Sequence, residues 1–188
     1  MRGFTRQATR GGRGYTLIEL LIVIGLLGLA AQILIPYLNN QGNLHLQAAV
    51  RTVIADLAYA QQSAHDNQGF RRVVFFADGT GYAIVRVTDA TFNTAFDAAT
   101  ADYVIDPIEG GEYIRDFGGD GRWSGISIKD VDIDSGNSYV TYDLLGGTVS
   151  TTNSPGTGGS VTLTADGEDY IIGIEPFTGK VTVTKVTS

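Results

Sequence analysis

From Tyr15 to Pro36 the chain reads YTLIELLIVIGLLGLAAQILIP, 22 residues whose apolar character is broken by one carboxylate, Glu19. A helix of that length spans about 33 Å, enough for a hydrocarbon core of about 30 Å, so the run predicts a transmembrane helix. After a turn-prone patch at Asn39–Asn43 the apolar residues recur at helical spacing: Leu46, Val50, Val53, Leu57, Ala60 and Ala64. These positions form one stripe, with Gln47, Arg51, Asp56, Gln62 and Asp66 read onto the opposite face. The amphipathic pattern stops at Asn67-Gln68-Gly69, where a glycine suits a helix C-terminus. If the chain only kinks around Pro36 and Gly42, the two segments make one helical spine.

From Phe70 the period changes to two. Arg72–Ala77 and Tyr82–Thr88 flank Asp78-Gly79-Thr80-Gly81, a hairpin signal. Further strand-like runs are Gly125–Ile133, Ser138–Leu145, Ser160–Thr164, Tyr170–Glu175 and Lys180–Val186. Ala90–Gly121 carries only weak signals, and Gly146–Gly159, rich in Gly, Ser and Thr, reads as an exposed loop. The expected fold is α+β: a long N-terminal helical spine, transmembrane in its first half, packed on an antiparallel sheet or sandwich. The segments are a basic head at 1–14, the membrane helix at 15–36, the amphipathic helix at 37–69 and a β-rich body at 70–188.

Charge sharpens this division. The net charge of -7 hides four arginines in residues 1–14, leaving 9 basic against 20 acidic side chains beyond them, a net of -11. The arginines, followed by 37 residues without another arginine or lysine, place the N-terminus in the cytoplasm and the acidic body across the membrane. An acidic body also disfavours nucleic acid, which needs a positive surface. The absence of cysteine excludes disulfides, thiolate metal sites and thiol nucleophiles.

The head and apolar run leave a second reading open: a conventional signal peptide with a cleavage point near Leu29-Ala30-Ala31, releasing an exported β-rich binding protein. Against it, apolar residues resume at Ile33-Leu34-Ile35, and Glu19 sits inside the run, where a carboxylate in lipid needs a partner.

The stretch Arg13-Gly14-Tyr15-Thr16-Leu17-Ile18-Glu19-Leu20 resembles the type III signal of type IV pilins and type II secretion pseudopilins. That resemblance implies cleavage after Gly14 by a prepilin peptidase, N-methylation of Tyr15 by the same enzyme and an assembly role for Glu19. Tyr15 departs from the usual phenylalanine by a hydroxyl. A new α-amino group on a neighbouring subunit would partner Glu19, and Pro36 matches the family's helix-kinking proline. More loosely, Asp56–Ala64 with Arg72–Phe76, and Phe177–Val183, resemble H-type minor pseudopilins, with FimT-like minor pilins next. The resemblance implies a minor pseudopilin of a type II secretion system, anchored in the inner membrane. Its partners would be other pseudopilins or pilins and the inner-membrane assembly platform. The alternative within the superfamily is a minor pilin of a type IV pilus.

Other chemistry finds little material. Asp116–Arg122 is acidic and glycine-rich, as a calcium loop would be. Counting from Asp130, Asp132 and Asp134 fit the first EF-hand positions, but Ser135 occupies the glycine position and Thr141 replaces the terminal glutamate, so the loop fails. His45 and His65 fall on the helix about 30 Å apart, Ser124 lies in no nucleophile elbow, and Trp123 reads as core or interface. Neither a cofactor, a metal nor an enzymatic activity is expected.

Overall fold

The computed structural model describes residues 15–39, 41–119, 121–150 and 154–186, and the side chains of 32–43 lie outside the description. The chain divides into two compact units, one ending at Asn40 and the other running from Gln41. The first contains α1 (Leu17–Asn39), whose helical course runs through Pro36. The predicted leader lies outside the described residues.

The second unit opens with α2 (Gln41–Asp66). The predicted stripe is its buried face: Leu46, Val53, Ala60 and Ala64 are fully buried, and Ala49 joins them. The helix stops as the pattern predicts. Gln68 takes a positive φ of 49°, and the N–H of Gly69 donates to the carbonyl of Ala64.

Two antiparallel sheets follow. One has β1 (Phe70–Phe75), β2 (Gly81–Val87), β3 (Ile114–Asp116), β5 (Tyr139–Tyr142) and β6 (Thr148–Val149) in the order β3-β2-β1-β5-β6. The other has β4 (Ser127–Ile133), β7 (Gly159–Ala165), β8 (Glu168–Ile174) and β9 (Val181–Val186) in the order β4-β7-β8-β9. The amphipathic helix packs on β1 and β5 of the first sheet and on β7 and β8 of the second. One core, with Phe75, Tyr82, Ile84, Leu163 and Ile172, lies among these elements.

Every strand that alternation predicts forms, with ends shifted by a few residues. The β1–β2 hairpin pairs Phe70 with Val87 through Phe75 with Tyr82, around the predicted turn. There Asp78 Oδ1 accepts from the Thr80 N–H at 3.0 Å. Gly79 has φ +72°, its carbonyl accepts from the N–H of Ile128 at 2.9 Å, and a Cβ on it would stand 2.5 Å from the carbonyl oxygen of Ile128. Only glycine lets this tip approach β4 so closely.

Three sequence expectations are corrected. Gly146–Gly159 is not simply an exposed loop: it contains β6, whose two residues are buried and pair with β5. The pairing replaces hydrogen bonds to water that an exposed loop would make. Ala90–Gly121 contributes β3 and places Phe92, Val104, Tyr113 and Phe117 in the interior. Asp56 does not lie on the polar face of α2. It is 5% exposed, because it sits three residues after Val53 and four before Ala60, within the buried stripe.

Buried Asp56 gathers donors from across the fold. Its Oδ2 accepts from the Tyr82 hydroxyl at 2.7 Å and from Arg115 Nε at 3.0 Å, and its Oδ1 accepts from the Tyr113 hydroxyl at 2.9 Å. Arg115 also donates from Nη1 to Asp106 Oδ2 at 2.5 Å, and Asp106 Oδ1 accepts from the N–H of Ile108 at 2.8 Å. Burial pushes the Asp56 carboxyl above its ordinary range despite these donors. Burial also pushes Asp106 upward, but the Ile108 N–H and Arg115 outweigh it and hold the carboxyl low.

Asp56→Ala should cost about 3 kcal/mol in chemical denaturation, the low end for a broken buried pair because Arg115 keeps Asp106. Asp56→Asn, which keeps shape and an acceptor, should cost less. Asp106, whose folded value lies below the ordinary 3.8, stabilises the fold above that pH, and the contribution is lost as pH falls through the folded value. The gap in urea midpoint between wild type and Asp106→Asn should therefore be full at neutral pH and close below about pH 3.8.

Candidate functional site

The candidate site is the start of α1. Thr16 precedes the helix, and its hydroxyl accepts from the Glu19 N–H at 3.3 Å, while its carbonyl accepts from the N–H groups of Glu19 and Leu20 at 3.1 and 3.2 Å. Thr16-Leu17-Ile18-Glu19 thus has the T-x-x-E pattern of a capping box, with a carboxylate in the first turn, where the helix dipole favours negative charge. That local role for Glu19 follows from the three-residue spacing alone.

Every residue from Tyr15 to Ala31 is exposed within the chain. Tyr15 is 81% and Leu17 84% exposed, and the leucines and isoleucines that follow ring the helix instead of forming a stripe. A helix apolar on all sides has to be covered by something other than water. Among the described residues no helix is long and apolar enough to cross a membrane, the described side chains of α1 ending at Ala31. Of the predicted processing residues, Tyr15 stands just ahead of α1 and Gly14 lies outside the described residues.

The other candidates are dispersed. His45 and His65 are both exposed on α2, and His65 Nδ1 lies 3.2 Å from the carbonyl oxygen of Leu144. Asp116 Oδ1 accepts from the N–H groups of Gly118 and Gly119 at 2.8 and 2.9 Å, so this carboxylate closes its own turn. Asp130 and Asp132 are exposed on β4, while Asp134 Oδ1 binds the Thr157 N–H at 2.6 Å. No group of three or more His, Asp or Glu gathers as a metal site among the described residues. Trp123 is half-buried against the core, edge-on to Phe117.

Two arrangements on the body have no counterpart in the sequence reading. Arg72, 3% exposed, donates from Nε to Thr141 Oγ1 at 2.8 Å and from Nη2 to the Phe92 carbonyl at 2.7 Å, with its guanidinium 4.1 Å from the centre of the Tyr139 ring. Gln61 clamps two turns, donating from Nε2 to the carbonyls of Gly146 at 2.6 Å and Thr178 at 2.8 Å. Beside it lies an open cleft of about 550 Å³ lined in part by Leu145 and Phe177. Phe177 is exposed and has φ +61°, an uncommon conformation for a bulky residue. Neither the paired arginines Arg71-Arg72 nor a lone glutamine on a helix signals these contacts in advance.

No protein-family model matches the chain. A curated relative, pilin-like protein PilA1 of Thermus thermophilus, is 27% identical over 134 residues, covering 71% of this chain and 78% of that protein. Among solved structures, the minor pseudopilin EpsH of the type 2 secretion system of Vibrio cholerae superposes with a TM-score of 0.51 at 9% identity, over 75% of this chain and 97% of that one. The type IV minor pilin FimU of Pseudomonas aeruginosa superposes with a TM-score of 0.49 at 15% identity, over 78% and 96%. The likeness to EpsH concerns the fold, an N-terminal helix on antiparallel sheets. The chain thus has a pilin-like fold, and its curated relative is itself named a pilin-like protein.

Proposed function

We propose that the chain is a minor pseudopilin of a type II secretion system, a structural subunit without enzymatic activity. In this reading prepilin peptidase cleaves after Gly14 and methylates Tyr15, and α1 lies in the inner membrane with the body in the periplasm. The inner-membrane platform then adds the subunit to a short filament that helps export folded proteins. One observation carries the proposal: Glu19 is the only charge in a helix that is apolar all round, four residues from the amine that cleavage would create. A carboxylate in lipid is retained where a cation meets it, and the amine of a neighbouring subunit supplies that cation.

The chain's basic side chains support assembly over nucleic-acid binding. Of the nine beyond residue 14, Arg71 and Arg72 are buried, Arg86, Arg115, Arg122, Lys129 and Lys185 each face a carboxylate, and Arg51 and Lys180 are exposed. The runner-up, a minor pilin of a type IV pilus, draws support from the pilin-like name of the curated relative. Deleting the gene separates the two: loss of exported protein with surface pili intact supports the secretion role, and the reverse supports the pilus.

The mature protein should begin with N-methylated Tyr15 by mass spectrometry. A start near Gln32 would instead support a conventional signal peptide. For Glu19, filament incorporation should be lost in Glu19→Ala and Glu19→Val. Glu19→Gln distinguishes charge from capping, because glutamine serves a capping box as glutamate does. It should fail to assemble along with the others. Normal assembly of Glu19→Gln beside failure of Glu19→Ala would reduce Glu19 to a helix cap.

A further inference from the structure

We propose that β9 is a docking strand through which two copies of this chain pair edge to edge, joining their four-stranded sheets into one. The four sheet edges differ in how they are protected. In the first sheet, β3 has three residues, and β6 has two and is bridged on its far side by Pro155. On the second sheet, β4 carries a bulge between Ile128 and Asp130, exposes Lys129, Asp130 and Asp132, and receives the β1–β2 turn at Ile128. Short edges, bulges, charges and covering turns are the devices that keep edges from pairing.

β9 has only one of these, the single lysine Lys185. It is six residues long, pairs with β8 without a register shift from Val181 opposite Ile174 to Val186 opposite Asp169, and reads VTVTKV. Among the described residues β8 is its only strand neighbour. Residues 182–186 are all exposed, with Val183 at 42% and Val186 at 38%. The outward-facing N–H and C=O groups of such a strand are satisfied in full by another extended backbone.

Charge favours a second copy as the occupant. The body has a net charge of -11, yet no aspartate or glutamate occurs at residues 176–188, so two acidic bodies can meet along β9 without opposing acidic side chains. The strand's one charge, Lys185, is already paired with Glu168. The pattern is also self-complementary. In a twofold antiparallel pairing centred on Val183, Lys185 faces Val181 of the other copy. When the pairing is centred on Thr184, Lys185 faces Val183, and in neither register do two lysines meet. A twofold pairing uses one patch twice and closes on itself, unlike the open repeat of a filament, so it does not depend on the filament reading.

The absence of native cysteine makes the test direct. Val183→Cys and Thr184→Cys in the full-length protein in detergent each carry one thiol. Facing Cα atoms across an antiparallel pair lie about 4.5–5.5 Å apart, within disulfide range. Mild oxidation should convert at least one of the two to a disulfide dimer, while Asp130→Cys on the protected edge stays monomeric. Val183→Lys and Thr184→Lys should abolish the dimer in sedimentation with their thermal melts unchanged, and Val183→Thr should keep it. Cysteines that cross-link no better than Asp130→Cys would overturn the proposal, as would a dimer that survives both lysine substitutions. So would cross-linking in cells to a different polypeptide alone.

Discussion

Asp56 is a carboxylate on the buried stripe of a helix, and its donors come from Tyr82 on β2, Tyr113 just before β3 and Arg115 on β3. Arg115 passes the constraint on to Asp106, whose second oxygen holds the turn at Ile108. The network therefore fixes α2, the outer side of the first sheet and the irregular chain around residues 102–116 in one arrangement. Burying one charge without the others would cost several kcal/mol, so the parts are held together as a set. Tyr59 stacks on Tyr113 at 5.2 Å and Arg115 lies over the Tyr113 ring at 4.6 Å, which excludes water from the same place.

This interior makes the body rigid without disulfides. Its surface then divides by chemistry. Most basic side chains are buried or neutralised, so the acidic residues dominate the outside field. Its exposed large apolar residues lie at Leu44, at Ile105 and Ile108, on the Leu144–Leu145 and Phe177 turns, and on β9. The helix of the first unit is different in kind: it exposes apolar side chains all round, with Glu19 as its single charge, and has no buried face within its own unit. One unit can bury its apolar surface internally; the other needs an external apolar environment.

Much of this was legible along the chain. The stripe on α2, the hairpin at Asp78–Gly81 and the strands that follow are short-range patterns, and periods of 3.6 and 2 report them directly. The T-x-x-E start of α1 is equally local, since Thr16 and Glu19 are only three residues apart. Polarity alone puts Asp56 on the outer face of α2, whereas its spacing from Val53 and Ala60 puts it inside. β6 was hidden because a two-residue strand has no period, and its register comes from β5.

The sequence by itself determined the division into a basic head, an apolar helix and an acidic β-rich body, since charge and periodicity are local properties that need no partner to be expressed. Only the tertiary structure decided that Asp56 belongs to the core, that Arg72 is buried against Tyr139, and that β9 is the least protected edge. Each of these depends on which distant segment lies alongside, and the free energy of a buried charge or an open strand edge is set by that neighbour.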